Sequence, residues 1–389
     1  MPLAVAARGG DALQIGLVSA ALYAWWIVSV PLSVITDRLG IGPTLRIFAP
    51  LRFVGLAVIA IGVATEAEWG YGVLLTGVLL YGFADVVVDS ASGTLPAAVM
   101  KSEDYDAAYS SLYAVTRTAD LVLGPVLGAG LFLLNLWAPF ALAVLLLAVS
   151  YGTLFSFFGD QRTQAAPADG TEPGWFSATF AGLRHVVRTP LIRGIAITLI
   201  GVAAASEVTA VVVAPYVRAA AESDYWPQIL GGVNAIAGIA AISAALAATV
   251  IAGRLGRTRT MIGAATLGVA SPVLMSLGPS WTFVALALVA AAVGEAIWVP
   301  LAQASMMKAT PHHLLGRTRA AVMFIIWGTI PATSLMAGAL AVTIGLVWTL
   351  IVTALFAALL CAFGFPALLS GGRGERELRR TRTRLPRGR

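Results

Sequence analysis

Residues 33–64 read SVITDRLGIGPTLRIFAPLRFVGLAVIAIGVA: a charged turn at Asp37 and Arg38, a basic residue at Arg46, then an apolar run reaching Ala64. About 20 apolar residues are what a helix needs to cross the hydrocarbon of a bilayer. The same alternation of turn and run extends through all 389 residues. Eleven runs fall at 12–36, 45–64, 71–98, 107–133, 138–158, 189–217, 227–252, 260–278, 282–306, 318–342 and 346–369. Of the 25 lysines and arginines, all but Arg8 and Arg218 lie in, or within a few turns of, every second gap between runs. They gather around Arg38 and Arg46, at Lys101, from Arg162 to Arg193, from Arg254 to Arg259, from Lys308 to Arg319 and after Ser370. The other gaps hold Glu66, Glu68, Glu222 and Asp224. Short loops rich in Lys and Arg stay on the cytoplasmic side. The bias predicts a multi-pass protein of a cell inner (plasma) membrane with a cytoplasmic C-terminus.

Composition points the same way. At 59% hydrophobic and 11% charged, with mean hydropathy +0.87, a soluble chain would carry more apolar surface than one core could bury. Strand-type alternation is absent, so helices must satisfy the backbone in lipid, and the expected class is all-α membrane protein. Trp69, Trp137, Trp226, Trp281 and Trp348 fall at one set of run boundaries, where amphipathic rings prefer the headgroup level. The net charge of +6 does not imply nucleic acid, because the arginine tail from Arg373 to Arg389 follows directly on an apolar run and reads as an anchor on anionic lipid. Cys361 is alone and forms no internal disulfide. The three histidines show no metal-ligand spacing, and neither a Gly-x-Ser-x-Gly elbow nor a phosphate-binding Gly-Lys loop is present. An enzyme, a bound metal and a cofactor are therefore not expected.

The chain divides into an N-terminal bundle at 1–158, a polar linker with an amphipathic helix at 159–188, a C-terminal six-helix bundle at 189–370 and a basic tail at 371–389. The bundles echo each other, as in transporters built from repeats. Asp37-Arg38-Leu39-Gly40 ends one run as Gly253-Arg254-Leu255-Gly256 ends another, and Gly124-Pro125 matches the region of Pro331. The second bundle has six runs and the first five, so symmetry leaves the first helix missing and predicts a reading frame that starts upstream of Met1.

These residues resemble the major facilitator superfamily. Ser33-x-x-x-Asp37-Arg38-x-Gly40, with Arg46 beyond it, is similar to the family's loop between the second and third helices, although Ser33 replaces the usual glycine. Gly124-Pro125-x-x-Gly128-x-Gly130 is similar to the fifth-helix motif of exporters, and Pro311-His312-His313-Leu314-Leu315-Gly316-Arg317 resembles a loop of the bacterial drug and siderophore exporter branch. The resemblance implies two helical bundles rocking around a central cavity, lined in part by 71–98, 189–217 and 282–306. It implies a gate at Asp37, Arg38 and Gly40 with Arg317 opposite, and close helix packing at Gly124, Pro125 and Gly128.

An ionisable side chain near the bilayer centre costs about 2.5–3.5 kcal/mol on insertion scales and marks function by default. Asp85 and Asp89 share a helix face at i, i+4, and Arg117 and Asp120 lie at i, i+3 on the next, antiparallel run. With Glu103 at the turn centre, Asp89 and Arg117 come to equal depth near the midplane, so an Asp89–Arg117 pair is expected, with Asp85 and Asp120 a turn further outward. Three acids against one base leave a carboxylate without a basic partner, and desolvation with like charge is what lets such a group exchange a proton. Glu207 and Glu295 are candidates for holding a cation or proton from the other bundle, with Trp298 three residues after Glu295 as a cation–π neighbour. The bland alternatives are a closed structural network for the acids and plain packing for Trp25, Trp26, Trp298 and Trp327. The leading expectation is a monomeric proton-coupled exporter of a hydrophobic or cationic small molecule. The alternatives are an importer or facilitator of a polar metabolite, and a non-transporting membrane protein.

Overall fold

The computed structural model describes residues 1–29, 32, 39–67, 69–99, 115, 119, 123–124, 127–128, 131, 134–135, 137–158, 183–220, 225–310 and 315–384. Every regular element among them is helical: α1 (Pro2–Ala7), α2 (Ala12–Tyr23, continued by a 3-10 turn at Ala24–Val28), α3 (Ile41–Ala64), α4 (Trp69–Val99), α5 (Ala138–Phe158), α6 (Pro190–Ala220), α7 (Trp226–Leu255), α8 (Arg257–Ser276), α9 (Trp281–Ala309), α10 (Leu315–Thr343) and α11 (Leu346–Arg384). Seven of these helices are long and apolar enough to cross a membrane, in α3, α4, α6, α7, α9, α10 and α11. Ala12–Val28 and Ala138–Thr153 are shorter apolar helices. The 20 residues of α8 are helical but less apolar. The run expected at 107–133 lies almost wholly outside the described residues, as does the linker up to residue 182.

Contacts group the chain into two compact units that do not follow sequence order. The first joins Met1–Trp175 with Ala210–Ala235 and Trp327–Leu346. Its centre is the hairpin α3–α4, drawn together by glycine. A Cβ on Gly55 would stand 2.6 Å from Tyr81 N, one on Gly62 2.5 Å from Leu74 N, and one on Gly77 2.7 Å from Ile59 N. Without these side chains the two backbones come within reach of each other, which any larger residue would prevent. Against this hairpin, α2 sets its 3-10 turn so that Trp25 Nε1 donates to Leu79 O at 2.9 Å and the indole meets Phe83 edge-on at 4.9 Å. The Trp327–Thr343 part of α10 packs on α2, where Trp327 stacks on Trp26 at 5.0 Å and on Tyr23 at 5.6 Å.

The two arginines that stand apart from the basic gaps both cap helix ends in this unit. Arg8 donates from Nη1 to Gly62 O at 2.5 Å and from Nη2 to Thr65 O, at the C-terminus of α3. Arg218 Nη1 donates to Ala6 O at 3.2 Å, near the end of α1. Unpaired carbonyls and the helix dipole make a C-terminus favourable for a cation, so neither charge needs a loop to hold it.

The second unit joins Phe176–Thr209, Ile236–Ile326 and Val347–Arg389. Its core includes Ile192, Ile195, Met261, Trp298, Val322, Cys361 and Leu368. Glycine again sets the approach of helices: a Cβ on Gly294 of α9 would stand 2.7 Å from Gly268 N of α8, and one on Gly194 of α6 2.9 Å from Gly364 O of α11.

Candidate functional site

Arg52 lies halfway along α3 and Asp85 one residue past the middle of α4. Twelve residues from either end of α3 is ~18 Å at 1.5 Å per residue, more than half the ~30 Å hydrocarbon thickness. The seat at Gly55 brings the backbone of Tyr81 against α3, and Arg52, Tyr81 and Asp85 then converge, since Tyr81 and Asp85 are i, i+4 on one face. Arg52 Nη2 donates to Asp85 Oδ1 at 2.7 Å and to Tyr81 Oη at 3.1 Å. The guanidinium carbon lies 5.3 Å from the centre of the Tyr81 ring, within cation–π range. Both members of the ion pair are 27% exposed. Arg52 Nε and the hydroxyl of Tyr151, which α5 brings to the same guanidinium, are buried and make no hydrogen bond of normal geometry among the described residues.

Beside the pair lies a cavity of about 370 Å³. Arg52 and Tyr81 give it a polar side, and Leu56 of α3 with Pro139, Phe140, Ala143 and Leu147 of α5 give it apolar walls, with Met1 at its edge. The arrangement offers a permanent positive charge, a carboxylate that can exchange a proton with it in view, and room for a small molecule. Among the described residues no cluster of His, Cys, Asp and Glu has the makings of a metal site.

Arg52 was absent from the candidates drawn from the sequence, because it counted with the basic residues around Arg46. Its distance from both ends of the run was the signal that would have found it. Asp85, and not Asp89, holds the central place on its helix; Asp89 is one turn further along and exposed. The expected partner Arg117 lies outside the described residues together with Asp120, Asp37, Arg38 and Pro125. Gly40 is the N-cap of α3, with φ 80°. Arg317 belongs to α10. A Cβ on Gly124 would stand 3.1 Å from Ala119 O, and one on Gly128 would meet nothing among the described residues.

In the second unit Glu207 is half-buried on α6 and Glu295 is exposed on α9. Trp298 is fully buried in the core, so the ring three residues from Glu295 presents no open face. Trp25, Trp26 and Trp327 pack against neighbouring rings in the first unit.

A polytopic helical bundle with an ion pair inside two apolar helices and a small-molecule cavity has the parts that a membrane transporter needs. The chain belongs to the Major Facilitator Superfamily, whose sequence pattern matches residues 1–327. No curated protein matches it in sequence. Among solved structures it is similar to the nucleoside transporter NupG, at 13% identity and TM-score 0.66 over 95% of this chain and 93% of that one. It is also similar to a POT family transporter in complex with 5-aminolevulinic acid, at 13% identity and TM-score 0.66 over 93% and 91%. A POT family transporter in complex with a thioalcohol-conjugated peptide matches at 13% identity and TM-score 0.68, again over 93% and 91%. At such identities these likenesses show the shared fold.

Proposed function

We propose that this member of the family is a proton-coupled secondary transporter working by alternating access, with Asp85 exchanging the coupling proton and Arg52 serving as its counter-charge. The observation that carries the proposal is the 2.7 Å pair between residues inside two apolar helices, with both side chains 27% exposed. Ionisable groups so placed are expensive and mark ion or substrate paths. The described residues around the carboxylate do not seal it, as a group that exchanges a proton requires. Export of a hydrophobic or cationic small molecule across an inner membrane is the direction supported by the motifs at Gly124-Pro125 and Pro311–Arg317. Asp37, with Arg38, Gly40 and Arg317, is assigned the cytoplasmic gate. Asp89, Glu207 and Glu295 are assigned secondary proton or substrate contacts. Arg117 and Asp120 are assigned a further part in moving the proton, and the protein acts as a monomer with its C-terminus in the cytoplasm.

A second reading is uptake of a polar metabolite, whose polar or anionic group would suit Arg52, the charged side chain among the described residues that line the cavity. Both readings meet the same test. In inverted vesicles with an imposed pH gradient, Asp85→Asn should abolish gradient-driven movement of ethidium, a lipophilic cation, and of decanoate, an acid. Undiminished movement of whichever probe the wild type carries rejects Asp85 as the proton carrier. The direction of accumulation before and after an uncoupler separates export from uptake.

A further inference from the structure

We propose that the cavity beside Arg52 takes an amphiphilic anion, a carboxylate or phosphate on a hydrophobic frame, and that the anion binds together with a proton taken by Asp85. This rests on the proton-coupled reading above, taken in its uptake form because a proton and an anion bound together move the same way, and adds the ligand to it.

The argument begins with shape and lining. A volume of about 370 Å³ lies at the small end of ligand pockets. Its apolar walls, Leu56, Pro139, Phe140, Ala143 and Leu147, suit a hydrocarbon body, and its polar side is a guanidinium with a phenol. A guanidinium presents five donors in a flat fork that matches a carboxylate or phosphate. In Arg52 one nitrogen, Nη2, serves both Asp85 and Tyr81, while Nε is buried with its hydrogen-bonding capacity unmet.

Charge then decides the sign of the ligand and its companion. Arg52 and Asp85 are together neutral, so an anion arriving alone would leave one net negative charge in a low-dielectric place. If a proton from solution joins a carboxylate oxygen of Asp85, the ligand's acid group replaces Asp85 as the counter-ion of Arg52. The charge of the site is then unchanged, and no bond in the ligand forms or breaks. Among the described residues, the other groups facing the pair are Tyr81 and Asp89 on α4 and Tyr151 from α5. Asp89 opposes an anion but is exposed, and Met1 lies at the cavity itself. A cation entering the same space would meet the guanidinium. The hydrophobic body expected from the sequence is retained, and its charge is reversed.

The test uses the full chain in phosphatidylcholine nanodiscs, with 11-(dansylamino)undecanoate as a fluorescent probe, decanoate and decyl phosphate as competitors and decylamine as the cationic control. Wild type should bind the probe and take up one proton per molecule bound, read with a pH dye in weak buffer. Arg52→Gln should bind about ten- to a hundredfold more weakly, the loss expected for a charged hydrogen bond. Asp85→Asn should bind at least as well as wild type and take up no proton. Loss of probe binding in phosphatidylglycerol nanodiscs would assign the acidic head to a bound lipid; retention would assign it to a free small molecule. The proposal is overturned if decylamine displaces the probe as well as decanoate does, or if Arg52→Gln binds normally. If Arg52→Gln does not fold, Asp85→Asn and the decylamine arm still decide: proton uptake that persists in Asp85→Asn also overturns it. Loss of pH-driven transport in Asp85→Asn, with no preference for anions, would leave the transport reading standing and this inference refuted.

Discussion

The hairpins α3–α4 and α8–α9 begin alike and diverge in the middle. Each opens on a glycine with positive φ, Gly40 at 80° and Gly256 at 88°. In each, that glycine's carbonyl accepts from the backbone N–H and the hydroxyl of a threonine four residues on, Thr44 at 3.2 and 2.8 Å and Thr260 at 3.1 and 3.1 Å. Twelve residues beyond the glycines stand Arg52 in one hairpin and Gly268 in the other. At Gly268 the backbones of α8 and α9 close on each other through Gly294, whereas Arg52 holds Asp85 beside a cavity. The turn is a local device that a repeat can keep unchanged. The helix middle is where one side chain decides whether a close-packed pair of helices also carries a charged site, and there the two hairpins differ.

Four tests by substitution can break or sharpen this contrast. Gly294→Leu should have the largest effect. Overpacking costs about 1–3 kcal/mol, and here the obstacle is backbone, which cannot swing aside, so the upper end of that range or beyond is expected. Size-exclusion profiles in detergent should show most of the folded peak lost; a normal profile would mean that α8 and α9 do not close at that depth. Asp85→Ala comes next. Stranding one partner of a sealed pair costs about 3–5 kcal/mol. With both side chains 27% exposed, about 1–3 kcal/mol is expected, read as a lower thermal unfolding midpoint. A double-mutant cycle with Arg52→Ala should return a coupling energy, and additivity would reduce the pair to a bystander.

Gly40→Ala and Gly256→Ala should each cost about 1–2 kcal/mol, because an L side chain is strained at positive φ. Equal losses would support two copies of one turn; a clear inequality would show that the likeness is only superficial. Tyr81→Phe should have the least effect, about 0.5–1.5 kcal/mol for one hydrogen bond, since the ring still lies against Arg52. A change in probe affinity without a change in stability would place its hydroxyl in the binding site.

Much of the scaffold was legible beforehand. Apolar runs mark helices because lipid leaves the backbone no other partner, and ends such as Gly40 and Gly256 show because only glycine suits their conformation. The carboxylates Asp85 and Asp89 stood out as charges in oil. Their partner did not: Arg52 is 33 residues from Asp85 in sequence, and nothing in either run tells which face of α3 turns toward α4. That choice is made by the seat of Tyr81 at Gly55. Trp298 carried the opposite lesson. Its spacing from Glu295 suggested a shared surface, yet three residues of helix are enough for one to be exposed and the other sealed in the core.

By itself the sequence determined that this protein is a helical membrane protein with a repeated plan and a biased distribution of basic residues, because hydropathy, chain length per span and loop charge act locally and add along the chain. Only the tertiary structure decided that Asp85 answers to Arg52, that Arg8 and Arg218 close helix ends, and that one hairpin sets a charged pair beside a cavity where its counterpart brings Gly294 against Gly268. Such pairings depend on helix rotation and on approach distances of a few ångströms. Those are properties of two packed surfaces and of neither strip of sequence alone.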